Sequence, residues 1–428
     1  MSDTASTRLT KTERSWILYD VANSAFTLII TTALFSLFYQ LLVSPERYVQ
    51  TWAYTNSLAS LVVAFLAPIL GTVADFRGFK KPLFAGFFAM GVIATFAMFF
   101  LRGSAWYVAM GVYALGSIGF SGANVFYDSF LTDVTTEDRM HRISSSGFAW
   151  GYIGSVIPFL GAIALVQFWE GIGLPSQEAG FRVAFLLTAT WWAVFTFPIL
   201  RNVQQVYYIE RTPNPIRATF RRLGKTFARI RTQHRAVFVF LGAYFFYIEG
   251  VNAIIRNATP IAVDMGFGQT LLIVVLLVLQ IVAWPFALIY GRLAKRFGAR
   301  AMIFTGIFTY VGVVILAFFL PVMPMGLATA MFWVLAMLIA SAQGGIQALS
   351  RSYLGRMIPE QASAEFFGFY NIVGKFSSFV GSFMIAFTTQ LTGQSRYGIL
   401  SILLLFLIGG VLLTRTSEEE ARKEEGKV

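Results

Sequence analysis

The sequence predicts an all-α, polytopic membrane protein with twelve transmembrane helices in two pseudo-repeated six-helix bundles. Three observations carry this expectation. The 428 residues are 57% hydrophobic and 13% charged, with a mean hydropathy of +0.67, whereas soluble domains carry about 25% charged residues. Twelve apolar stretches come close to or exceed the roughly 20 residues that cross a hydrocarbon core as a helix. A glycine-containing basic turn occurs once in each half.

In chain order the expected spans are Trp16–Leu42, Trp52–Val73, Pro82–Leu101, Trp106–Leu131, Ile143–Phe168 and Phe181–Leu200. After a polar break follow Ala236–Val263, Leu271–Leu293, Met302–Val322, Met325–Leu349, Phe366–Leu391 and Tyr397–Thr414. The first is too long for a signal-peptide core and lacks a small-residue cleavage site, so it reads as a membrane helix. Pro321 and Pro324 mark the ninth–tenth break. Trp16, Trp52, Trp106 and Trp169 lie near span ends, where indoles anchor at the interface. The expected organisation is a bundle over 1–200, a linker over 201–235, a second bundle over 236–415 and a charged tail over 416–428. Nothing outside the spans is long enough to fold as a separate domain.

Lys and Arg set the orientation. With both termini cytoplasmic, only Arg47, Arg102, Arg182, Arg256 and Arg396 fall on the opposite side and Lys375 lies within a span; the rest of the 33 basic residues are cytoplasmic. This asymmetry accounts for the net charge of +12 without a nucleic-acid partner. A cell inner membrane is favoured over a vacuolar one, and a monomer is expected. In the linker, Ile216, Phe220, Leu223, Phe227 and Ile230 recur at helical spacing among basic residues, behind Asn214 as cap and Pro215 in the first turn. This predicts a basic amphipathic helix on the inner leaflet, read as a topogenic linker or as a lipid sensor. The absence of cysteine excludes disulfide and thiolate chemistry. Both histidines, His141 and His234, are expected in loops, so a proton path in the bundle would rely on carboxylates.

A charge at mid-bilayer costs roughly 2.5–3.5 kcal/mol on insertion scales and normally faces a partner or a wet cavity. Here such charges are confined to a few helices. On helix 1, Asp20 and Asn23 share a face; Asp20 reads as a cavity-floor group or as an interfacial acid. On helix 4, Asn124 and Asp128 share a face, as a cavity lining or as polar glue between helices. On helix 7, Glu249, Asn252 and Arg256 form one stripe, either a proton-exchanging site or a permanent ion pair. Gln343 and Gln347 on helix 10, and Asn371 and Lys375 on helix 11, are the available partners. These eleven residues form the expected substrate and proton pathway.

Gly71-x-x-Ala74-Asp75-x-Arg77-Gly78-x-Lys80-Lys81 is the strongest local pattern. It resembles the loop signature between helices 2 and 3 of the major facilitator superfamily, which implies a cytoplasmic gate built from Gly71, Asp75, Arg77, Gly78 and Lys80. Asp75 is expected to accept hydrogen bonds from Arg77 or from a neighbouring helix start. The second copy, Gly291 to Arg300, has Lys295 in place of the acid, so the gate should be asymmetric. Gly147-x-x-x-Gly151 reads as a close-packing pair.

Longer stretches resemble the autophagy-related vacuolar amino-acid effluxer (Atg22-like) branch of that superfamily along nearly the whole chain. They are Tyr19-Asp20-x-Ala22-Asn23-Ser24-Ala25-Phe26, Tyr247-Ile248-Glu249-Gly250-Val251-Asn252, Gly344-Gly345-x-Gln347-Ala348-Leu349-Ser350-Arg351-Ser352, and Glu365-Phe366-Phe367-Gly368-Phe369-Tyr370 with Gly374-Lys375. The chain departs from that pattern at Val21, where relatives usually have Trp, and at Ser382 after Gly381, where Pro is common. It also has Glu249 where Asp is frequent.

The expected function is secondary active transport of a small polar solute by alternating access, proton-linked, with amino acids the best substrate class. Arg256 or Lys375 would hold a carboxylate, and Asp20 or Glu249 a proton or an amine. The alternatives are export of amphipathic compounds and, of another class, a non-transporting receptor or scaffold. No nucleotide-binding, nucleophile-elbow or zinc-peptidase motif occurs, so neither an enzyme activity nor a cofactor or metal is expected. The partners are a small-molecule substrate, the lipid bilayer and protons.

Overall fold

The structure, a computed structural model, describes residues 8–102, 106–210, 231–264 and 269–424. The linker helix expected over 216–230 lies outside the described residues. Helix α1 spans Lys11–Gln40, with a π-helical middle from Phe26 to Leu34. There follow α2 (Pro45–Ala74), α3 (Lys80–Ala97), α4 (Trp106–Ser129), α5 (Glu137–Gln167) and α6 (Gln177–Asn202). Next come α7 (Arg235–Asp264), α8 (Gln269–Phe297), α9 (Ala299–Phe319), α10 (Met325–Met357) and α11 (Ser363–Thr392). Helix α12 is two pieces, Ser395–Ser401 and Leu403–Thr414, and α13 (Glu418–Glu424) ends the described chain. Among the described residues, ten helical stretches are long and apolar enough to cross a membrane. Helices α2 and α11 contain shorter apolar stretches, Leu61–Ala74 and Phe383–Thr392.

Several helices overrun the spans read from hydropathy, because membrane thickness limits the apolar stretch and not the helix. Helix α1 begins at Lys11 because Thr10 and Glu13 form a capping box, each side chain bonding the other's backbone N–H. Helix α5 begins at Glu137, so His141 sits in its first turns and is buried, not in a loop. Helix α10 continues to Met357 and carries Arg351 inward. Pro68, Pro158, Pro198 and Pro285 lie inside helices, which membrane bundles tolerate because neighbouring groups satisfy the freed carbonyls.

The chain divides into two compact units. Unit 1 is Met1–Arg139, Trp150–Pro215 and Glu360–Phe367; unit 2 is Met140–Ala149, Ile216–Pro359 and Gly368–Val428. Unit 1 is cored by aromatics: Trp16 stacks on Tyr127, and Phe26 packs on Phe120 and Trp192. In unit 2, Tyr244 stacks on Tyr370 and Tyr310 on Phe406. Large apolar side chains also cover the outside; Phe65, Ile157 and Phe308 are each more than 60% exposed. A water-facing surface would penalise them at roughly 25 cal/mol per Å²; lipid does not. The chain is an integral, multi-pass membrane protein.

Candidate functional site

In unit 1 the Gly71–Lys81 turn is a dense polar knot. Asp75 is fully buried and accepts hydrogen bonds from the backbone N–H groups of Ala364 (2.9 Å) and Glu365 (3.0 Å). These are first-turn donors of α11, which have no acceptor within their own helix, and the positive end of the helix dipole adds to the attraction. Of the two donors expected for Asp75, the helix start is the one used. Arg77 lies over the Tyr208 ring and beside Glu210 at 3.7 Å. Burial pushes the Asp75 carboxyl up to about 7, Lys80 and the two N–H donors oppose this, and Glu365 adds to it. A Cβ on Gly71 would run into the Ala364 carbonyl, so the glycine permits the approach. Gly78 has φ +78°, which L side chains resist.

Lys80 is fully buried. Its Nζ contacts Asp133 at 2.7 Å and donates to Ser363 Oγ at 2.9 Å. The other Asp133 oxygen accepts the N–H groups of Val206 and Tyr207. The Gln205 side chain donates to the Ala74 carbonyl and accepts from Gly78 N–H, while Phe76 and Ile209 form an isolated parallel bridge. The first residues of the linker are thus stitched to the turn.

Deeper in unit 1, Asp20 and Asn23 are both buried on α1, and Asn23 donates to Asn124 Oδ1 on α4 at 3.0 Å. Asp128, one turn further along α4, is half-buried. Trp16 donates to the Tyr127 carbonyl, and Gly151 of α5 lies against the Asp20 backbone. The structure therefore brings Asn23 of helix 1 and Asn124 of helix 4 together.

In unit 2, Glu249 on α7 is fully buried, and its Oε1 accepts the backbone N–H of Gly381 on α11 at 2.7 Å. This donor lies outside the expected partner set. Asn252, Gln343, Gln347 and Asn371 are half-buried. Arg256 and Lys375 lie in α7 and α11, and their side chains are outside the described residues.

Several polar residues in these knots were not among the expected site residues. Glu13 is buried and takes Arg139 at 2.9 and 2.7 Å and Thr135 at 2.8 Å; its capping-box spacing was a legible signal. Asp133 had no local pattern to mark it. In unit 2, Arg351 donates to Ser144 and sits 4.5 Å over the Phe148 ring, a desolvated cation–π contact. His141 bonds Ser352 and Arg356, and Arg356 meets Glu418 of α13 at 3.3 Å.

The family model described as "Vacuole effluxer Atg22 like" matches residues 48–426. This chain belongs to the Atg22-like family. An uncharacterized MFS-type transporter of Bacillus subtilis, YxiO, is 46% identical over 96% of each chain. Autophagy-related protein 22 of Eremothecium gossypii is 24% identical over 84% of this chain and 75% of its own length. Among solved structures, a bacterial homologue of the iron transporter ferroportin in an outward-facing state is similar, with TM-score 0.69 and 13% identity over 95% of this chain and 99% of its own. FucP, a major facilitator superfamily transporter in its outward conformation, gives TM-score 0.66 and 12% identity over 95% and 98%. At such identities these likenesses establish the fold. The Atg22-like chain is an MFS-type transporter by family and by architecture.

Proposed function

We propose that this Atg22-like chain is a proton-linked secondary transporter of a small polar solute, with amino acids as the substrate class. It works by alternating access of the bundles at 1–200 and 236–415. The observation that carries the reading is Glu249: a carboxylate with 0% exposure in the middle of an apolar helix, held by a backbone donor of another helix. A structural role alone gives little return for the desolvation of an ionised group, whereas a carrier needs a membrane-embedded acid able to gain and lose a proton. Asp20, Asn23, Asn124 and Asp128 supply a polar face in unit 1. Asn252, Arg256, Gln343, Gln347, Asn371 and Lys375 supply groups in unit 2 that suit a zwitterion's carboxylate and amine. The Asp75 and Lys80 knot serves as the gate. The charge asymmetry supports cytoplasmic termini, and the relative from Bacillus subtilis supports a cell inner membrane.

The test is uptake of a labelled amino-acid mixture by proteoliposomes under an inward proton gradient, after a thermal-shift screen of amino acids, peptides and sugars at two pH values. Glu249→Gln should lower gradient-driven uptake at least tenfold while the protein stays folded. Uptake by Glu249→Gln equal to wild type, with unchanged pH dependence, removes Glu249 from the mechanism. Stabilisation by sugars and not by amino acids would replace the substrate class.

A further inference from the structure

Gly381 stands in the interior of α11, Ser363–Thr392. An N–H at such a position ordinarily serves the carbonyl four residues earlier. The Glu249 carboxylate also reaches this N–H, its Oε1 accepting from it at 2.7 Å, within the short range of charge-assisted hydrogen bonds. The approach depends on the missing side chain. A Cβ at 381 would stand 2.5 Å from Glu249 Oε1 and 2.7 Å from Ala253 Cβ, and Ala253 is one turn from Glu249 on α7. Aside from Asp264 at the end of α7, Glu249 is the sole carboxylate between Arg235 and Pro359. Other ionisable residues along the helices of this unit include Tyr244, Tyr247 and Arg256 on α7, Tyr290 on α8, Tyr310 on α9, Arg351 and Tyr353 on α10, Tyr370 and Lys375 on α11, and Tyr397 on α12.

We infer that Gly381 is the positioning residue for the Glu249 carboxylate: its backbone N–H holds the ionised acid, and its lack of a side chain opens the space that acid occupies. The inference rests on the reading that Glu249 exchanges protons. It adds the element that registers the exchange. An ionised Glu249 is a strong acceptor for the α11 backbone, and a protonated one is a weaker acceptor that also needs an acceptor of its own. Loading a proton therefore weakens the Gly381–Glu249 bond and loosens α7 from α11 at that point of this unit.

The test needs no substrate. Wild type, Glu249→Gln, Gly381→Ala, Glu249→Asp, the Gly381→Ala/Glu249→Asp double variant and Ala253→Gly/Gly381→Ala are reconstituted in phosphatidylethanolamine–phosphatidylglycerol vesicles. Infrared difference spectra are then recorded against pH. The carboxyl band missing from Glu249→Gln is that of Glu249. Gly381→Ala and Glu249→Asp should each displace its midpoint by about one pH unit or more, the equivalent of one charge-assisted hydrogen bond. The double variant should show less than the sum, because both changes act on one bond. Ala253→Gly relieves the methyl–methyl clash but not the clash with Oε1, so it should leave the displacement in place. An unmoved midpoint in Gly381→Ala, full reversal by Ala253→Gly, or additive shifts would overturn the inference while leaving Glu249 as the proton carrier. A difference spectrum with no band that Glu249→Gln removes sinks the proton reading itself, and the inference with it. Should Gly381→Ala not fold, 15N-glycine labelling of wild type decides. One amide resonance should titrate with the infrared midpoint and stand still in Glu249→Gln; no such resonance refutes the inference.

Discussion

Asp75 is an acid buried against two backbone donors, a lysine and a second acid, and its carboxyl is pushed up to about 7, mainly by burial. The sign of the consequence follows from linkage. Below about 3.9, the ordinary Asp value, both folded and unfolded states hold the proton and the folded state bears no charge-burial cost. As pH rises towards 7 the unfolded chain releases its proton first, so stability contributed at this site falls, and the loss is complete once pH passes about 7. We expect the melting temperature of the wild type to fall between pH 5 and pH 8 by more than that of Asp75→Asn, which has no carboxyl to ionise. Parallel melting profiles of the two proteins would show that Asp75 does not titrate there. Asn keeps one acceptor for Ala364 N–H but turns an NH2 towards the other donor, so Asp75→Asn should also be less stable overall by roughly 1–3 kcal/mol. The spacing of the motif marked Asp75, Gly78 and Lys80 as a set. It could not mark Asp133, which meets Lys80 across 53 residues of chain, because a lone acid after an apolar helix has no local signature.

Helix α1 shows how an element's end carries a tertiary contact. Thr10 and Glu13 close the capping box, and the same Glu13 carboxylate takes Arg139 and Thr135 before and within the first turn of α5. Glu13→Ala removes the reciprocal half of the capping box, the acceptor for Thr10 N–H, together with the carboxylate that holds Arg139, while the Thr10 hydroxyl still caps the N–H of residue 13. Hydrogen bonds to a charged group are worth about 1.5–3 kcal/mol each, so we expect a lower melting temperature and faster amide exchange over residues 11–16. Unchanged exchange there would mean that the N-terminal turn is held by packing alone. Helix α13 behaves alike. Residues 416–428 read as a charged tail, yet Glu418 lies on Arg356 and near His141, and Glu424 accepts Ala236 N–H at the start of α7. Seven residues are too few to be helical alone in water, so these contacts hold the helix together. Deleting residues 417–428 should therefore lower the melting temperature and increase exchange at the start of α7; a deletion without effect on either would count against the docking.

At the scale of the molecule, the absence of cysteine makes topology directly testable. Gln177→Cys, at the first residue of α6, should react with a membrane-impermeant maleimide in intact cells, and Glu419→Cys only after lysis. The reverse pattern would invert the orientation argued from Lys and Arg. The all-α membrane architecture was legible in the sequence, because a bilayer demands roughly 20 apolar residues per helix and leaves that demand written in the chain. So was the Gly71–Lys81 turn, because its residues are contiguous. What the tertiary structure alone decided is who answers each polar group. The Asp75 carboxylate is met by the N–H groups of Ala364 and Glu365, the Lys80 ammonium by Asp133 and Ser363, and the Glu249 carboxylate by the Gly381 backbone. Backbone donors are identical at every residue and so leave no mark in a sequence; which of them meets a buried acid is fixed only when helices far apart in the chain pack.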